Sequence, residues 1–325
     1  MVHQNKIVTV GEAFLQFTPV EATDSLKDAE CFRREPGGSP INVAACAALL
    51  DAETRFIGKL GQDPFGDYLM ELLKSTGIDT SIVSRTKQAK TGVYFTDAHS
   101  PDYDQTVSAD FQLRPDDITE QALDRGDILY ISSKPLIQTP SRGAIEKALT
   151  IGGEKGCLIA FAPQLVQEGW PNAMFARETI LHSMPYAHLL ILGEQELAFL
   201  SEKEDEYQAI HSLYGGKNKL LIILRGHKGL TYVTDREKGI IRFQPETIID
   251  PKGMNDAFIG YLLADLLLNG VTVENLSAYF SDPFIFEPIL EQALFCRAAS
   301  GKRRGSFKSM VTREQLKRES VGKGF

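Results

Sequence analysis

Six short apolar runs, separated by stretches with helical periodicity, constrain the fold of this chain more than any other feature of its sequence. The runs are rich in Ile, Leu and Val and span residues 7–11, 54–61, 127–133, 157–163, 187–193 and 219–226. Continuous apolar strands of this length are typical of a parallel sheet that is covered on both faces. The alternation predicts an α/β fold with a doubly wound, mainly parallel sheet and helices on both faces.

Two regions depart from this alternation. Residues 12–36 and 88–112 alternate apolar and polar side chains without helical periodicity, which predicts strands. Both regions leave the main sheet and return to it, so we expect a small β-sheet that covers one edge as a lid. The predicted α/β core then comprises residues 1–11, 37–87 and 113–325, and the predicted lid comprises residues 12–36 and 88–112.

Composition and charge exclude several classes of protein. The formal net charge of −8 disfavours a protein that works by binding nucleic-acid backbones. The four cysteines are far apart without a CxxC pair, so neither a disulfide scaffold nor a zinc site is expected. No apolar run approaches the ~18 residues of a membrane span, and no signal peptide is visible. We therefore expect a cytoplasmic protein that binds neither nucleic acid nor membrane.

The first segment that could carry chemistry is GGSPINVAACAALL, residues 37–50. Gly37 and Gly38 permit close approaches and backbone angles that other residues avoid. Asn42 falls near the first turn of the predicted helix, and its amide can both donate and accept hydrogen bonds. A tight turn before a helix explains the same residues equally well, so both interpretations stay open at this point.

A second group of candidates follows two of the predicted strands. Glu194 and Glu196 come directly after the run at 187–193, where ligands of open α/β sheets tend to bind. Gly226 and Gly229 follow the run at 219–226 at a sharp strand-to-strand turn. Plain turn chemistry accounts for these residues as well.

The most informative segment is DPKGMNDAFIGYLLADLL, residues 250–267. Gly253, Met254 and Asn255 precede Asp256 at the start of an apolar helix, and free N–H groups there suit an anion. A carboxylate in the same turn could accept a proton from a hydroxyl that attacks the anion. Asp is also a preferred helix N-cap, and from the pattern alone the cap interpretation of Asp256 is favoured about two to one.

In this order, these segments resemble those of the ribokinase/PfkB family of carbohydrate kinases, and fructokinases and 2-keto-3-deoxygluconate kinases most closely. The resemblance extends from Val8 to about Leu316. Four stretches carry it: GGSPINVA, GKLGQDPFGDYLMELLKSTGIDTS, FAPQLVQEGWPN and DPKGMNDAF. The family fold is a parallel α/β sheet with a small β lid.

The resemblance implies an ATP-dependent sugar kinase that uses Mg²⁺, with K⁺ as a further cofactor and pairing of two lids in a homodimer. It implies that Asp256 is the catalytic base and that Gly253, Met254 and Asn255 form the anion hole. The implied sugar-binding residues are Gly37, Gly38, Asn42 and Gln16. The implied cofactor-binding residues are Glu196, Gly226 and Gly229, and the implied metal-binding residues are Asp250 and Glu196. Lys252 replaces a Thr of the family pattern, and we expect its positive charge to lie at the γ-phosphate, which makes it a further cofactor-binding candidate.

Several positions depart from the family pattern. The usual G-A-G-D is G-M-N-D here, so we expect Met254 to add bulk beside the phosphates and Asn255 to maintain the loop by adopting left-handed backbone angles. The FDPN.R segment has Ala162, Gln164 and Val166 in place of Asp, Asn and Arg, Gly193 replaces the Asn of the NxxE motif, and Gln16 replaces a sugar-binding Asp. Two functions stay open: an active kinase with an altered small acceptor, or an impaired homologue with a nucleotide-binding, regulatory or scaffold role.

Overall fold

Eight strands form the main sheet of the protein, for which the computed structural model describes residues 5–21, 26–96, 101–102, 108–165, 169–244 and 247–321. These strands are β1 (Ile7–Val10), β4 (Thr54–Ile57), β9 (Ile128–Ile131), β10 (Leu158–Phe161), β11 (Leu189–Gly193), β12 (Leu220–Leu224), β13 (Gly229–Thr234) and β14 (Lys238–Arg242). Their order is β14-β13-β12-β11-β10-β9-β1-β4. The pairs from β4 to β12 are parallel, and β13 and β14 add an antiparallel edge.

The described residues also form ten α-helices. They are α1 (Ser39–Leu49), α2 (Pro64–Ser75), α3 (Ser141–Lys155), α4 (Ala173–Ser183), α5 (Glu194–Ser201), α6 (Glu206–Leu213), α7 (Met254–Leu268), α8 (Leu276–Tyr279), α9 (Pro283–Gly301) and α10 (Arg313–Val321). One apolar cluster joins α1, α7 and α9 to one face of the sheet, and a second joins α3, α4 and α5 to the other face.

The continuous apolar pattern of the strands follows from this double covering. In β1, Ile7 belongs to one cluster, whereas Val8 and Val10 belong to the other. In β9, Tyr130 and Leu129 alternate in the same way. Successive side chains of a strand point to opposite faces, so both faces need apolar residues. The predicted doubly wound α/β fold is confirmed.

A separate four-stranded sheet lies beside the main sheet. It consists of β2 (Phe14–Pro19), β3 (Phe32–Gly37), β7 (Gly92–Thr96) and β8 (Pro101–Asp102), in the order β3-β2-β7-β8. Apart from Gly37, which the sequence analysis assigns to the core, these strands fall within the two predicted lid regions. Residues 22–25, 97–100 and 103–107 of those regions lie outside the described part of the chain. Two further strands, β5 (Lys59–Gly61) and β6 (Ser84–Thr86), pair with each other.

The small sheet joins the main body at Gly37, Phe14 and Gly92. Phe14 pairs with Gly37 on one side and with Gly92 on the other. The ring of Phe14 covers Gly37, since a Cβ built there would lie 2.5 Å from a ring carbon. This row of residues leads directly into α1, so the small sheet and the first turn of α1 are covalently continuous.

The cysteines are free thiols, and three of them are buried: Cys46, Cys157 and Cys296. Among the helices that the structure describes, none has the length and apolar character needed to cross a membrane.

Candidate active site

Asp256 lies in the first turn of α7, but it does not cap the helix. The N-cap is Gly253, whose φ of 76° falls in the left-handed region that favours glycine. The first backbone bond of the helix runs from the N–H of Ala257 to the carbonyl of Gly253, at 2.8 Å. The cap interpretation of Asp256 is therefore wrong, because the carboxylate is one turn too far into the helix.

The carboxylate of Asp256 instead accepts hydrogen bonds from three distant side chains. Ser39 Oγ and Gln164 Nε2 donate to Oδ1 at 2.7 and 2.6 Å, and Asn42 Nδ2 donates to Oδ2 at 2.8 Å. The residue is only 5 % exposed. Burial raises the pKa of Asp256 above its ordinary value, and the three donors partly oppose that rise. A desolvated, hydrogen-bonded carboxylate is a suitable proton acceptor.

The turn before α1 explains why Ser39 and Asn42 reach this carboxylate. Gly38 has φ 123°, and a Cβ there would lie 2.4 Å from the carbonyl oxygen of Glu12, so no other residue fits. The Oε1 atom of Glu12 then accepts a hydrogen bond from the N–H of Ser39 at 3.1 Å. Residues three apart lie on the same helix face, and Ser39 and Asn42 therefore both face Asp256.

Gln164 belongs to the site although it departs from the FDPN.R pattern. Its amide contacts Asp256, Ser39 Oγ at 2.8 Å and the hydroxyl of Tyr130 at 3.2 Å. Its backbone has φ 48°, which is uncommon for a residue other than glycine. That angle was not readable from sequence. Val166, another departure, lies outside the described residues.

Tyr130 and Ser39 were also missed, although each had a signal. Tyr130 places a hydroxyl inside the otherwise apolar strand β9, and it is fully buried. Its hydroxyl lies 2.7 Å from Ser39 Oγ. A buried hydroxyl needs a partner, so a tyrosine in a buried strand that ends at the ligand-binding edge was a usable sign of a polar site.

Three ionisable residues lie on the small-sheet side of this network: Glu12 and Asp110, which are buried, and Lys134, which is partly buried. Burial raises the pKa of Glu12 to about 7, although the nearby Lys134 ammonium opposes the rise. Burial also raises the pKa of Asp110 and lowers that of Lys134. Lys134 Nζ lies 3.9 Å from the centroid of the Phe14 ring. Both carboxylate oxygens of Asp110 are buried without a hydrogen-bond partner among the described residues.

Gln16, the predicted sugar-binding residue of the small sheet, contacts a neighbouring strand. Its amide donates to Thr96 Oγ1 at 2.7 Å. Thr96 Oγ1 lies in turn 3.2 Å from Thr18 Oγ1. The hydrogen bonds of Gln16 are thus made within the small sheet, and Asp256 receives its contacts from the main body.

A cavity of about 460 Å³ opens on the other side of Gln164, beyond the carboxyl ends of β11 and β12. Its lining consists of Gln164, Leu165, Gly193, Glu194, Gln195, Glu196, Leu224, Gly226, Asn255 and Arg297. The predicted residues Glu196, Gly226 and Asn255 therefore share one cavity. Gly229 is not part of the lining; it begins β13, where a Cβ would lie 2.0 Å from the carbonyl oxygen of Ile241.

Glu196 is held by the backbone around it. Its two carboxylate oxygens accept hydrogen bonds from the N–H groups of Gly193 and Leu165, both at 2.6 Å. Burial nevertheless raises its pKa. The bond to Leu165 connects the cavity to the residue that directly follows Gln164.

Arg297 of α9 brings a positive charge to the cavity beside the start of α7. Its Nε donates to Asn255 Oδ1 at 3.2 Å and its Nη1 to the carbonyl of Gly226 at 2.8 Å. Sequence reasoning gave Arg297 no role, because it lies in an apolar helix far from the recognised motifs.

Two expectations about the G-M-N-D turn are wrong. Met254 does not point toward the cavity: it is 3 % exposed, and a Cβ added at Gly301 would lie 2.7 Å from its sulfur. Asn255 does not adopt a left-handed backbone, because Gly253 takes that conformation and Asn255 is already helical. The side chain at position 254 therefore leaves the space before the helix open.

Asp250 and Lys252 lie on the far side of this turn. Asp250 accepts hydrogen bonds from the N–H groups of Lys252 at 3.1 Å and Gly305 at 2.9 Å. Lys252 Nζ donates to Thr18 Oγ1 of the small sheet at 3.4 Å. Asp250 and Glu196 thus bond to different neighbours, and no cluster of three or more potential metal ligands was found among the described residues.

Comparison with known proteins adds the family context. Residues 4–277 match the model of the pfkB family carbohydrate kinases. The chain is 30 % identical to the probable fructokinase-4 of Arabidopsis thaliana, over 98 % of this chain and 97 % of that relative. It is 29 % identical to fructokinase-2 of Solanum lycopersicum, over 94 % of this chain and 93 % of the relative.

Solved structures of similar fold include a fructokinase with bound ATP from Xylella fastidiosa. It superposes with a TM-score of 0.91 at 22 % identity, over 99 % of this chain and 100 % of that one. A fructokinase from Vibrio cholerae O395, in a form with bound fructose, ADP and calcium ion, gives a TM-score of 0.84 at 24 % identity, over 97 % and 98 % of the two chains. At these identities the likeness shows the fold.

Proposed function

Since the chain belongs to the pfkB family of carbohydrate kinases, it is an ATP-dependent sugar kinase, and we propose that its acceptor is a small neutral sugar, with fructose the first candidate. The observation that carries the proposal is the buried Asp256 carboxylate, held by three side chains next to a 460 Å³ cavity at the start of α7. In that position the carboxylate separates an acceptor side from a nucleotide side.

In the proposed reaction, the oxygen of an acceptor hydroxyl attacks the γ-phosphorus of ATP. Asp256 accepts the proton of that hydroxyl. The bond from that phosphorus to the β–γ bridging oxygen breaks, and ADP leaves. Phosphoryl transfer depends mainly on positioning and on stabilisation of charge. The N–H groups at the start of α7, which comprises Met254, Asn255 and Asp256, lie where they can hold the transferred group.

The nature of the acceptor is inferred from buried oxygen atoms that need donors. Asn42 Oδ1 and both oxygens of Asp110 are buried without a hydrogen-bond partner among the described residues. Leaving such groups unsatisfied costs about 1–3 kcal/mol each. A polyhydroxylated ligand supplies the missing donors. The near pairing of charges around Glu12, Asp110 and Lys134 argues for a neutral sugar over a sugar acid.

The binding of nucleotide phosphates is assigned to the other side. Arg297 supplies the one guanidinium that lines the described cavity, and Gly226 and Asn255 fix its position. Lys252 is a second candidate for contact with the phosphates; in the structure its ammonium contacts Thr18 instead. Gly253 sets the turn that exposes the N–H groups of α7.

The donor set fits a Mg²⁺ that arrives with the nucleotide. Mg²⁺ keeps several waters and takes one or two carboxylates together with phosphate oxygens. Glu194 and Glu196 are the carboxylates that line the cavity and would hold it. When bound, the ion neutralises charge on the phosphates. We assign K⁺ to the loop around Asp250, where backbone groups of residues 301–305 approach.

The geometry favours an active kinase over the impaired homologue. The departures at Met254 and Asn255 do not fill the cavity, and the one at Gln164 maintains a contact to Asp256.

The small sheet also carries an aromatic surface of Phe17, Phe32 and Phe95, with Phe95 42 % exposed. We propose that this surface pairs two copies in a homodimer and that the enzyme works in the cytoplasm.

The test is ATP-dependent phosphorylation across a panel of acceptors: fructose, glucose, ribose, 2-keto-3-deoxygluconate, a pentitol and a nucleoside. ADP formation and the phosphorylated product are measured together, the latter by ³¹P NMR, with Mg²⁺ and either K⁺ or Na⁺. Turnover with fructose or another neutral sugar supports the proposal. Turnover confined to the sugar acid contradicts the neutral acceptor, and no turnover in folded protein contradicts the kinase.

A further inference from the structure

The contact between Gln164 and Asp256 bears on how the site selects its nucleophile, an inference that rests on the proposed function. A group that gives its proton to a general base must lie about 2.6–3.2 Å from it. Gln164 Nε2 lies 2.6 Å from Asp256 Oδ1. The amide of Gln164 therefore stands where the attacking hydroxyl is needed.

Gln164 lies between the acceptor side and the nucleotide side, which supports the view that its amide occupies the position of the attacking hydroxyl. Its side chain lines the nucleotide cavity, and the same side chain contacts Ser39 on the acceptor side. Gln164 lines that cavity whereas Asp256 does not, so the amide lies between the cavity and the carboxylate. The amide of Gln164 does not attack phosphorus. While it occupies the position next to Asp256, no hydroxyl can transfer its proton to that carboxylate.

The backbone around Gln164 indicates that the contact is held by its surroundings. Its left-handed φ of 48° is unfavourable for a residue with a Cβ. The next N–H, that of Leu165, is bound by Glu196 at 2.6 Å. Glu196 belongs to the nucleotide cavity, so one loop contacts the base through a side chain and the nucleotide site through its backbone.

We propose that Gln164 is a specificity-determining residue that occupies the reactive position at Asp256 until a sugar displaces it, and that it thereby suppresses hydrolysis of ATP by water. The suppressed reaction is attack of a water oxygen on the γ-phosphorus. In it the bond to the β–γ bridging oxygen breaks, the proton passes to Asp256, and ADP and inorganic phosphate leave. A sugar outcompetes the amide because several hydroxyl groups bind together, whereas a single water does not.

The experiment compares ADP formation without acceptor and with the best acceptor in the full-length protein. Gln164→Ala opens the position, and we expect acceptor-free hydrolysis to rise about 10-fold, a small part of the ~10²–10⁴ that a general base supplies. Gln164→Met retains the bulk without the amide, and we expect a smaller rise than in Gln164→Ala, because the side chain still fills the position. Gln208→Ala, an exposed glutamine of α6, is the control and should change neither rate.

Two further results decide the interpretation. The rise in Gln164→Ala must disappear in the double variant Gln164→Ala/Asp256→Asn, because the hydrolysis needs the base. An unchanged acceptor-free rate in Gln164→Ala, a rise that survives in the double variant, or an equal rise in Gln164→Met would each overturn the proposal. Failure of the kinase function itself is distinguishable, since it appears as absent sugar phosphorylation in the wild type.

Discussion

The two sides that we propose for Asp256, an acceptor side and a nucleotide side, are built in different ways. On the acceptor side, side chains make the contacts: Ser39, Asn42 and Gln164 are fixed on the carboxylate, and the residue is buried. On the proposed nucleotide side, a cavity of about 460 Å³ opens beside the start of α7, and we propose that backbone N–H groups of α7 contact the phosphates there.

This difference explains where the sequence departs from its family. A backbone N–H does the same work whatever side chain follows it, so Met254 and Asn255 can replace smaller residues without filling the cavity. A side-chain contact cannot be exchanged so freely. Asn42 accordingly matches the family motif, and Gln164, which differs from it, still donates to the carboxylate. The comparison predicts that substitutions on the acceptor side reduce turnover more than substitutions on the nucleotide side.

The largest effect is expected from Asp256→Asn. The variant removes the proton acceptor, so kcat should fall by ~10²–10⁴. Steady-state ADP formation with the best acceptor measures it, and circular dichroism checks the fold. Asp265→Asn, a carboxylate near the end of the same helix, is the matched control and should retain turnover. Equal losses in both variants would mean that helix integrity, and not the base, limits the rate.

The next effect tests how deeply the acceptor side is desolvated. Burial raises the pKa of Glu12 from 4.5 to about 7. The unfolded chain ionises first as the pH rises, so wild type should lose stability between pH 4.5 and 7 and no more above it. At 1.36 kcal/mol per pKa unit, the loss is up to about 3 kcal/mol.

Glu12→Gln keeps an acceptor for the N–H of Ser39 and removes this titration. In urea unfolding the variant should therefore gain on wild type from pH 5 to pH 8. Glu178→Gln, an exposed carboxylate of α4, provides the comparison and should show a constant difference. A pH-independent gap for Glu12→Gln would show that Glu12 is solvated and that the contrast between the two sides is smaller than the burial suggests.

A smaller effect, on the nucleotide side, is expected from Arg297→Gln. A hydrogen bond to a charged group contributes about 1.5–3 kcal/mol, so KM for ATP should rise about 10-fold or more while kcat changes less. Initial rates at varied ATP separate the two constants. Arg303→Gln, just beyond the end of the same helix, is the control. A fall in kcat at unchanged KM would instead assign Arg297 to the transition state.

The smallest effect is expected from Lys252→Ala. Its ammonium contacts Thr18 at 3.4 Å, and partly exposed contacts of this kind contribute about 0.2–1 kcal/mol. Turnover should therefore fall by less than about 5-fold, a change that Lys203→Ala on a distant loop should not produce. A loss as large as that of Asp256→Asn would place Lys252 at the phosphates and make the nucleotide side depend on side chains too.

The fold was readable from sequence because its signals are local. Each apolar strand and the start of α7 lie within a few residues, and Phe14 and Gly92 fall within the two regions without helical periodicity. The contacts of Asp256 are not local: Gln164 is 92 residues away and Ser39 is 217 residues away. The resemblance to a family identified Asn42, since it lies in a motif, and it missed Gln164, since a departure from a motif was taken for a loss.

Side-chain direction was the other quantity that sequence could not supply. Met254 and Asn255 are neighbours in one helical turn, and their side chains point to different surroundings. Only the position of α9 decides that Met254 is buried and that Asn255 meets Arg297. Helical periodicity gives the relative angle between the two residues but not which of them faces the cavity.

The fit of Met254 against Gly301 also constrains how this sequence could have diverged. A Cβ at position 301 would lie 2.7 Å from the methionine sulfur and 3.0 Å from Ile248 Cδ1. A large side chain at position 254 is thus compatible with glycine at position 301, whereas any residue with a side chain at position 301 would crowd it. Across related sequences the sizes of these two residues should vary inversely, and a lineage that acquires methionine at 254 passes most easily through a glycine at 301 first.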